Sequence, residues 1–215
     1  MEGIIKLLSQ GVANQIAAGE VIQRPSSALK ELLENAIDSG ASDITAVIKD
    51  SGKTLIQVID NGCGMSKDDA ILCFQRHATS KINTAEDLFS IQSLGFRGEA
   101  LASIASIAQV ELQSRLKGDE TGNLIRIEGS EIKHQSVCSC NEGTSIKVKN
   151  LFYNVPARRK FLKSNNAEMR HILEEFQRQA LPNYSIGFEL YHNDKVIYQL
   201  HASSLIERMN ALFGK

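Results

Sequence analysis

The chain of 215 residues is 42% hydrophobic and 23% charged, an ordinary balance for a globular domain large enough to bury a sizeable core. Its formal net charge is -1, so no whole-molecule field recruits nucleic acid or membrane, and any such contact must come from a local patch. Cys63, Cys73, Cys138 and Cys140 form no C-x-x-C pair, which argues against a zinc framework or a disulfide scaffold and for reduced thiols. No apolar run approaches the roughly 20 residues of a membrane span, and the first ten residues lack a signal-peptide core. A cytoplasmic protein with no membrane partner is expected.

In chain order, residues 12–18 predict a short helix stopped by Gly19, and 25–39 a stronger one. Pro25 suits its first turn, Ser26 and Ser27 are capping candidates, and Gly40 supplies the stop. Strands follow at 44–49 and 55–60 around a Ser51-Gly52 turn, then a short helix at 67–74. Residues 75–97 are rich in small polar residues, with one helical piece at 85–89; so long a stretch is uncommon in a compact domain unless it is functional or mobile. A helix is predicted at 98–106, strands at 109–115, 122–128, 131–137 and 144–149, and a long helix at 165–180. Strands at 185–191 and 195–200 form a hairpin around Asn193-Asp194, and 204–213 is a last helix. Helices come first and strands cluster later, which predicts an α+β two-layer sandwich: a mixed β-sheet with helices on one face.

The phosphate motifs G-x-x-x-x-G-K-S/T and G-x-G-x-x-G are absent, so a nucleotide would have to be bound in another way. On the 25–39 helix, Leu29, Leu32, Leu33, Ala36 and Ile37 form one stripe and Glu31, Glu34, Asn35 and Asp38 the opposite one. Glu31 and Asn35 are surface neighbours. This is either a solvated face or a reacting pair. In the second case the amide oxygen holds Mg²⁺, which takes few protein ligands, and the carboxylate takes a proton from water. The strand at 55–60 ends in Asp60-Asn61-Gly62-Cys63-Gly64, a tight turn with two positions open to positive φ. Asp60 there could accept a hydrogen bond from an exocyclic amine.

This order of motifs resembles the GHKL ATPase superfamily, which joins gyrase B, heat-shock chaperones, histidine kinases and MutL. Its elements are the Glu31/Asn35 helix, Asp60-x-Gly62-x-Gly64, a segment ending in Gly95-Phe96-Arg97-Gly98, and Gly143-Thr144 before a strand. The strings ANQIAAGEVI (13–22), RHATSK (76–81), LGFRGEAL (94–101) and NLFYNVPARRKFL (150–162) resemble the MutL family of mismatch-repair proteins across nearly the whole chain.

The resemblance implies ATP and Mg²⁺ as cofactors, with Glu31 as general base and Asn35 as Mg²⁺ ligand. Asp60 would bind the adenine amine in a pocket shaped by Gly62 and Gly64 and supported by Thr144. Thr79, Ser80 and Lys81 would belong to a lid, and Gly95, Phe96, Arg97, Gly98, Glu99, Ala100 and Leu101 would offer backbone N–H groups to phosphates. A helix starting near Gly98 suits an anion independently of the resemblance. Glu34 reads as a solvated or supporting carboxylate, Asp38 as an i,i+4 surface partner, His77 as a positioning or surface residue, and Arg97 either as a phosphate or lid residue or as a structural partner of Glu99 or Asp60.

The resemblance further implies a MutS-type mismatch-recognition protein, a strand-nicking endonuclease and DNA as partners of the full-length protein, and an ATP-dependent homodimer or heterodimer. It places the protein at the nucleoid of a bacterium or in a eukaryotic nucleus. It divides the chain into an ATPase domain at 1–203 and the start of a transducer domain at 204–215, beyond which a phosphate-binding lysine and faster turnover are expected. Two rivals remain: a module that holds nucleotide without hydrolysis, which Glu31 argues against, and a kinase of the same superfamily. Lys147, Lys149, Arg158, Arg159, Lys160 and Lys163 surround Phe152, Tyr153 and Phe161, either as a DNA patch or as core aromatics beneath a solvated charged face.

Overall fold

Alternating apolar residues on consecutive strands build one continuous wall, because side chains on a strand point to opposite faces in turn. The computed structural model describes residues 6–81, 87, 94–95 and 98–214. Among these, β1 (Asp43–Lys49), β2 (Leu55–Asp60), β3 (Gln109–Arg115), β4 (Gly122–Glu128), β5 (Glu131–Cys138), β6 (Gly143–Lys149), β7 (Gly187–His192) and β8 (Lys195–Leu200) form one sheet. Its order is β5-β4-β3-β6-β2-β1-β7-β8, and the β1–β7 pair is parallel while the others are antiparallel. The expected mixed sheet is present.

Ile44, Ala46, Ile48, Ile56, Val58, Val110, Leu112, Ile146 and Val148 are buried on the helical side. On the other side Glu111 of β3 is held by Arg126, Lys147 and Lys149. Burial pushes the Glu111 carboxyl up, but the hydrogen bond and charge of Lys147, joined by those of Lys149, outweigh it and bring it to about 2.

The helical layer comprises α1 (Gln10–Val21), α2 (Pro25–Asp38), α3 (Lys67–Leu72), α4 (Ala100–Ile107), α5 (Pro156–Phe161), α6 (Asn165–Ala180) and α7 (Leu205–Phe213). Leu29, Leu32, Leu33 and Ala36 recur at helical spacing and are buried, seating α2 on β2 and against α6. Burying each such leucine contributes about 1.5–3 kcal/mol. Phe176 of α6 meets the Phe188 ring edge-on at 6.0 Å and stacks on Tyr198 at 5.6 Å. Arg208 anchors α7 by donating to the carbonyls of Ala180, Tyr184, Ile186 and His201.

Several local expectations shift. α1 does not stop at Gly19 but runs on to Val21. Gly19 lies beneath the Arg158 guanidinium, where a Cβ would come within 1.3 Å of Nη2, so a side chain there would have to push the end of Arg158 aside. Arg24 rather than Ser26 or Ser27 occupies the N-cap of α2, with no side-chain cap. α4 begins at Ala100, because Gly98 takes a left-handed φ of 60°. α5 is not predicted, since six residues are too few to establish a period. The Asn193-Asp194 hairpin has φ values of 48° and 65°, as a tight two-residue turn requires. The helical piece at 85–89 lies, apart from Asp87, outside the described residues.

Candidate functional site: a cavity between α2, α4 and the sheet

A cavity of about 1500 Å³ opens between α2, the end of β2, the start of β6 and the N-terminus of α4. Glu31, Asn35, Asp60, Gly64, Thr79, Ser80, Lys81, Gly95, Gly98, Glu99, Ala100, Leu101 and Thr144 all face it. Gly62 does not line it, and Phe96 and Arg97 lie outside the described residues.

One end of the cavity is built by strand register. Asp60 on β2 stands opposite Thr144 on β6, and Thr144 stands opposite Ser114 on β3. All three are buried. Asp60 Oδ1 accepts from the Gly62 N–H at 3.0 Å and from Ser39 Oγ at 3.4 Å, and the Thr144 backbone N–H also donates to the carboxyl. Burial pushes the Asp60 carboxyl above its ordinary value, against these donors. Ser114 Oγ accepts from the Met65 N–H at 2.8 Å, and it lies 3.1 Å from Gly143 O and 2.9 Å from Thr144 Oγ1. The turn is closed onto α2 by Cys63 N–H donating to Ser39 O. Only Gly64 of the two turn glycines has a positive φ, 71°. A Cβ there would lie 2.1 Å from Arg115 O, whereas one on Gly62 would strike Ser39 Oγ at 1.8 Å. The sequence expectation of two left-handed positions is corrected: Gly62 is small because Ser39 packs on it. Ser39 and Ser114 were missed, since a serine's partner is visible only once nonlocal register is known.

The other end is built by side chains of α2. Glu31 and Asn35 lie one helical turn apart. Lys30 Nζ lies 3.3 Å from Glu31 Oε1 and 2.9 Å from Glu34 Oε2. Glu34 is buried and also accepts from Gln179 Nε2 at 3.3 Å, so it ties α2 to α6. Lys81 Nζ donates to Asn35 Oδ1 at 3.1 Å and to Asp38 Oδ2 at 2.6 Å. The backbone N–H groups of Leu94 and Gly95 donate to Asp38 Oδ1 and Oδ2 at 3.1 and 3.3 Å. The Gly95 amide, expected to face phosphate, is thus on Asp38, and Asp38 is no solvated surface carboxylate. His77 N–H donates to Gly98 O at 3.1 Å, and His77 Nδ1 lies 3.5 Å from Glu99 Oε1, which stitches the two ends of the 77–98 segment.

A cation already rests on the Asn35 oxygen, so that atom points into the cavity and accepts positive charge. An amide oxygen of this kind fits a Mg²⁺ ion that draws its remaining ligands from phosphate and water. Among the described residues no group of three or more His, Cys, Asp or Glu could hold a metal by itself. At the same mouth the start of α4 carries N–H groups without intrahelical acceptors, a setting that favours anions.

The basic aromatic segment separates into parts. Phe152 is core, Phe161 is 86% exposed, and Lys147 and Lys149 pair with Glu111 on the open sheet face. The aromatics are therefore not all core, and the charges do not form one patch with them.

Fold and cavity together define an ATPase domain: residues 23–153 match the family described as histidine kinase-, DNA gyrase B-, and HSP90-like ATPase. A solved MutL ATPase domain from Aquifex aeolicus, complexed with ADP, superposes with a TM-score of 0.75 at 33% identity, covering 90% of this chain and 70% of that one. The chain belongs to the MutL family of DNA mismatch repair proteins, as its ATPase domain. It is 59% identical over 215 residues to the DNA mismatch repair protein MutL of Parabacteroides distasonis and 58% identical over 214 residues to that of Flavobacterium psychrophilum. Both alignments cover 100% of this chain and 35% of the relative, so the chain spans about a third of the length of the curated relatives it matches. A crystal structure of the N-terminal domain of a DNA repair protein gives a TM-score of 0.82 at 29% identity, with 97% of this chain and 62% of that one covered. No helix among the described residues is long and apolar enough to cross a membrane.

Proposed function

We propose that this domain binds ATP with Mg²⁺ and hydrolyses it slowly, as the switch of a mismatch repair protein. The observation that carries the reading is the placement of Glu31 and Asn35, one turn apart on α2, on a cavity whose far end is Asp60 and Thr144. Asp60 accepts a hydrogen bond from the adenine amine, and Gly64 keeps the floor of the pocket low enough for a flat base. The N-terminus of α4, with Gly98 through Leu101, receives phosphate oxygens, as do Thr79, Ser80 and Lys81 of the lid. Glu31 orients a water and takes its proton. The bound Mg²⁺ supplies charge neutralisation of the phosphates, with Asn35 as its protein contact. By the family resemblance, Phe96 and Arg97 would also offer backbone N–H groups to phosphate.

The full-length protein would pass this ATP-dependent change to a MutS-type mismatch-recognition protein, to a strand-nicking endonuclease and to DNA, as a homodimer or family heterodimer. Residues 1–203 form the ATPase domain in this reading, and 204–215 begin the transducer domain. Exposed Leu205, Ile206, Met209 and Phe213 on α7 support continuation of the fold from that helix.

Single-turnover assays with labelled ATP test the reading. Release of phosphate that depends on Mg²⁺ and Glu31 is expected. Nucleotide bound but never hydrolysed would favour a binding module, and label transferred to protein would favour a kinase.

A further inference from the structure

Lys81 presents an ammonium with three N–H donors and no acceptor. One donor goes to the Asp38 carboxylate at 2.6 Å and another to the Asn35 amide oxygen at 3.1 Å. The side chains of Lys81 and Asp38 are only 21% and 12% exposed, so the pair is poorly screened by water. The Lys81 backbone N–H is itself fixed, donating to Thr79 Oγ1 at 3.1 Å. Asp38 also receives the N–H groups of Leu94 and Gly95. One carboxylate on α2 therefore gathers Lys81 on one side and the Leu94 and Gly95 amides on the other, and sets the lysine on the oxygen assigned to the metal.

We propose that Asp38 is a positioning residue that parks Lys81 on Asn35 as a stand-in for the divalent cation, and that Mg²⁺ enters with ATP only as Lys81 leaves that oxygen. The inference rests on the reading of Asn35 as the metal contact. Its physical basis is exclusion. Mg²⁺ needs its ligand oxygen at about 2.1 Å, and an ammonium on the same oxygen would be a second cation within a few ångströms. The two positive charges exchange rather than coexist. Lys81 supplies the charge that phosphates meet before the metal arrives, and Mg²⁺ takes over most of that role when it displaces the lysine from Asn35. Asp38 matters through its hold on Lys81 and on the Leu94–Gly95 backbone, not through contact with nucleotide.

The test titrates a non-hydrolysable ATP analogue into the domain by calorimetry, once with Mg²⁺ and once with chelator, for wild type, Lys81→Met, Asp38→Asn and Asn35→Ala. Amide hydrogen exchange at Leu94 and Gly95 is read separately, without nucleotide or metal. Lys81→Met should weaken metal-free binding by about tenfold and metal-bound binding by about twofold or less, so that Mg²⁺ dependence steepens. Asp38→Asn should steepen it in the same direction and speed exchange at Leu94 and Gly95 by about tenfold. Equal losses with and without metal in Lys81→Met would overturn the stand-in role, as would unchanged exchange in Asp38→Asn for the anchoring role. If Asn35→Ala leaves the Mg²⁺ dependence at the wild-type value, the metal contact itself is wrong and the stand-in falls with it, while the exchange result still judges Asp38. Lys81→Met removes a partly exposed lid side chain, so its result does not depend on a variant that disturbs the core.

Discussion

The two ends of the cavity are held by different kinds of bond. At the end proposed to take adenine, Asp60, Thr144 and Ser114 are cross-strand neighbours, fixed by the backbone ladders of β2, β6 and β3. At the end proposed to take phosphate, Asn35, Asp38 and Lys81 meet through side chains and through two amides donated from residues 94 and 95. Strand ladders do not rearrange when a ligand arrives, whereas ion pairs can exchange one partner for another. Under the proposed function, that difference makes recognition preorganised and reaction switchable, with the boundary lying along α2.

The comparison can be broken most forcefully at Glu31. Glu31→Ala should lower single-turnover hydrolysis by about 10²–10⁴-fold while nucleotide affinity changes little. A matching loss of affinity would make Glu31 a binding group and blur the division. Next in size, Asp60→Asn should weaken binding of an ATP analogue by about 1.5–3 kcal/mol, because a charged acceptor becomes an amide that can turn a donor toward a donor. Calorimetry giving wild-type affinity would remove Asp60 from the adenine role.

Ser114→Ala sharpens the claim that the adenine end is structural. It strips the Met65 N–H of its acceptor and Gly143 O of a donor in a buried place, and should cost about 1–3 kcal/mol in urea denaturation. Unchanged stability would mean that the row of buried polar groups does not set the pocket. The smallest effect on the cavity is expected from Glu111→Gln, on the opposite face of the sheet. Wild-type Glu111 titrates near 2 in the folded protein against an ordinary 4.5, so its stabilisation is fully present above pH 4.5 and is lost as pH falls through 2. Melting curves across that window should fall more steeply for wild type than for the variant, with nucleotide affinity unaffected at neutral pH. Equal slopes would show that Lys147 and Lys149 do not act on Glu111 as described.

Much of the sheet is legible in the sequence because its strands are short runs carrying β-branched residues and bounded by turn residues: 109–115, 122–128 and 195–200 are read to the residue. Glu31, Asn35 and Asp60 are legible because motif order carries them, and the structure brings all three to one cavity. Asp38 sits on the same stripe, yet nothing local distinguishes a solvated carboxylate from one that residues 81, 94 and 95 will cover. Gly19 carries the signal of a helix stop because its partner, Arg158, is 139 positions away. Phe161 has the composition of core and stands exposed, since α5 presents no buried face. In each case the missing information is a nonlocal contact rather than a misread propensity.

The most direct test is the choice between ATP and GTP analogues, measured by calorimetry on wild type and Asp60→Asn. Adenine offers an amine to the Asp60 carboxylate, whereas guanine offers an oxygen that a carboxylate repels. Wild type should favour the ATP analogue by about 10²-fold, and Asp60→Asn should erase most of that preference. Equal affinity of wild type for the two analogues would contradict the assignment of this cavity to ATP.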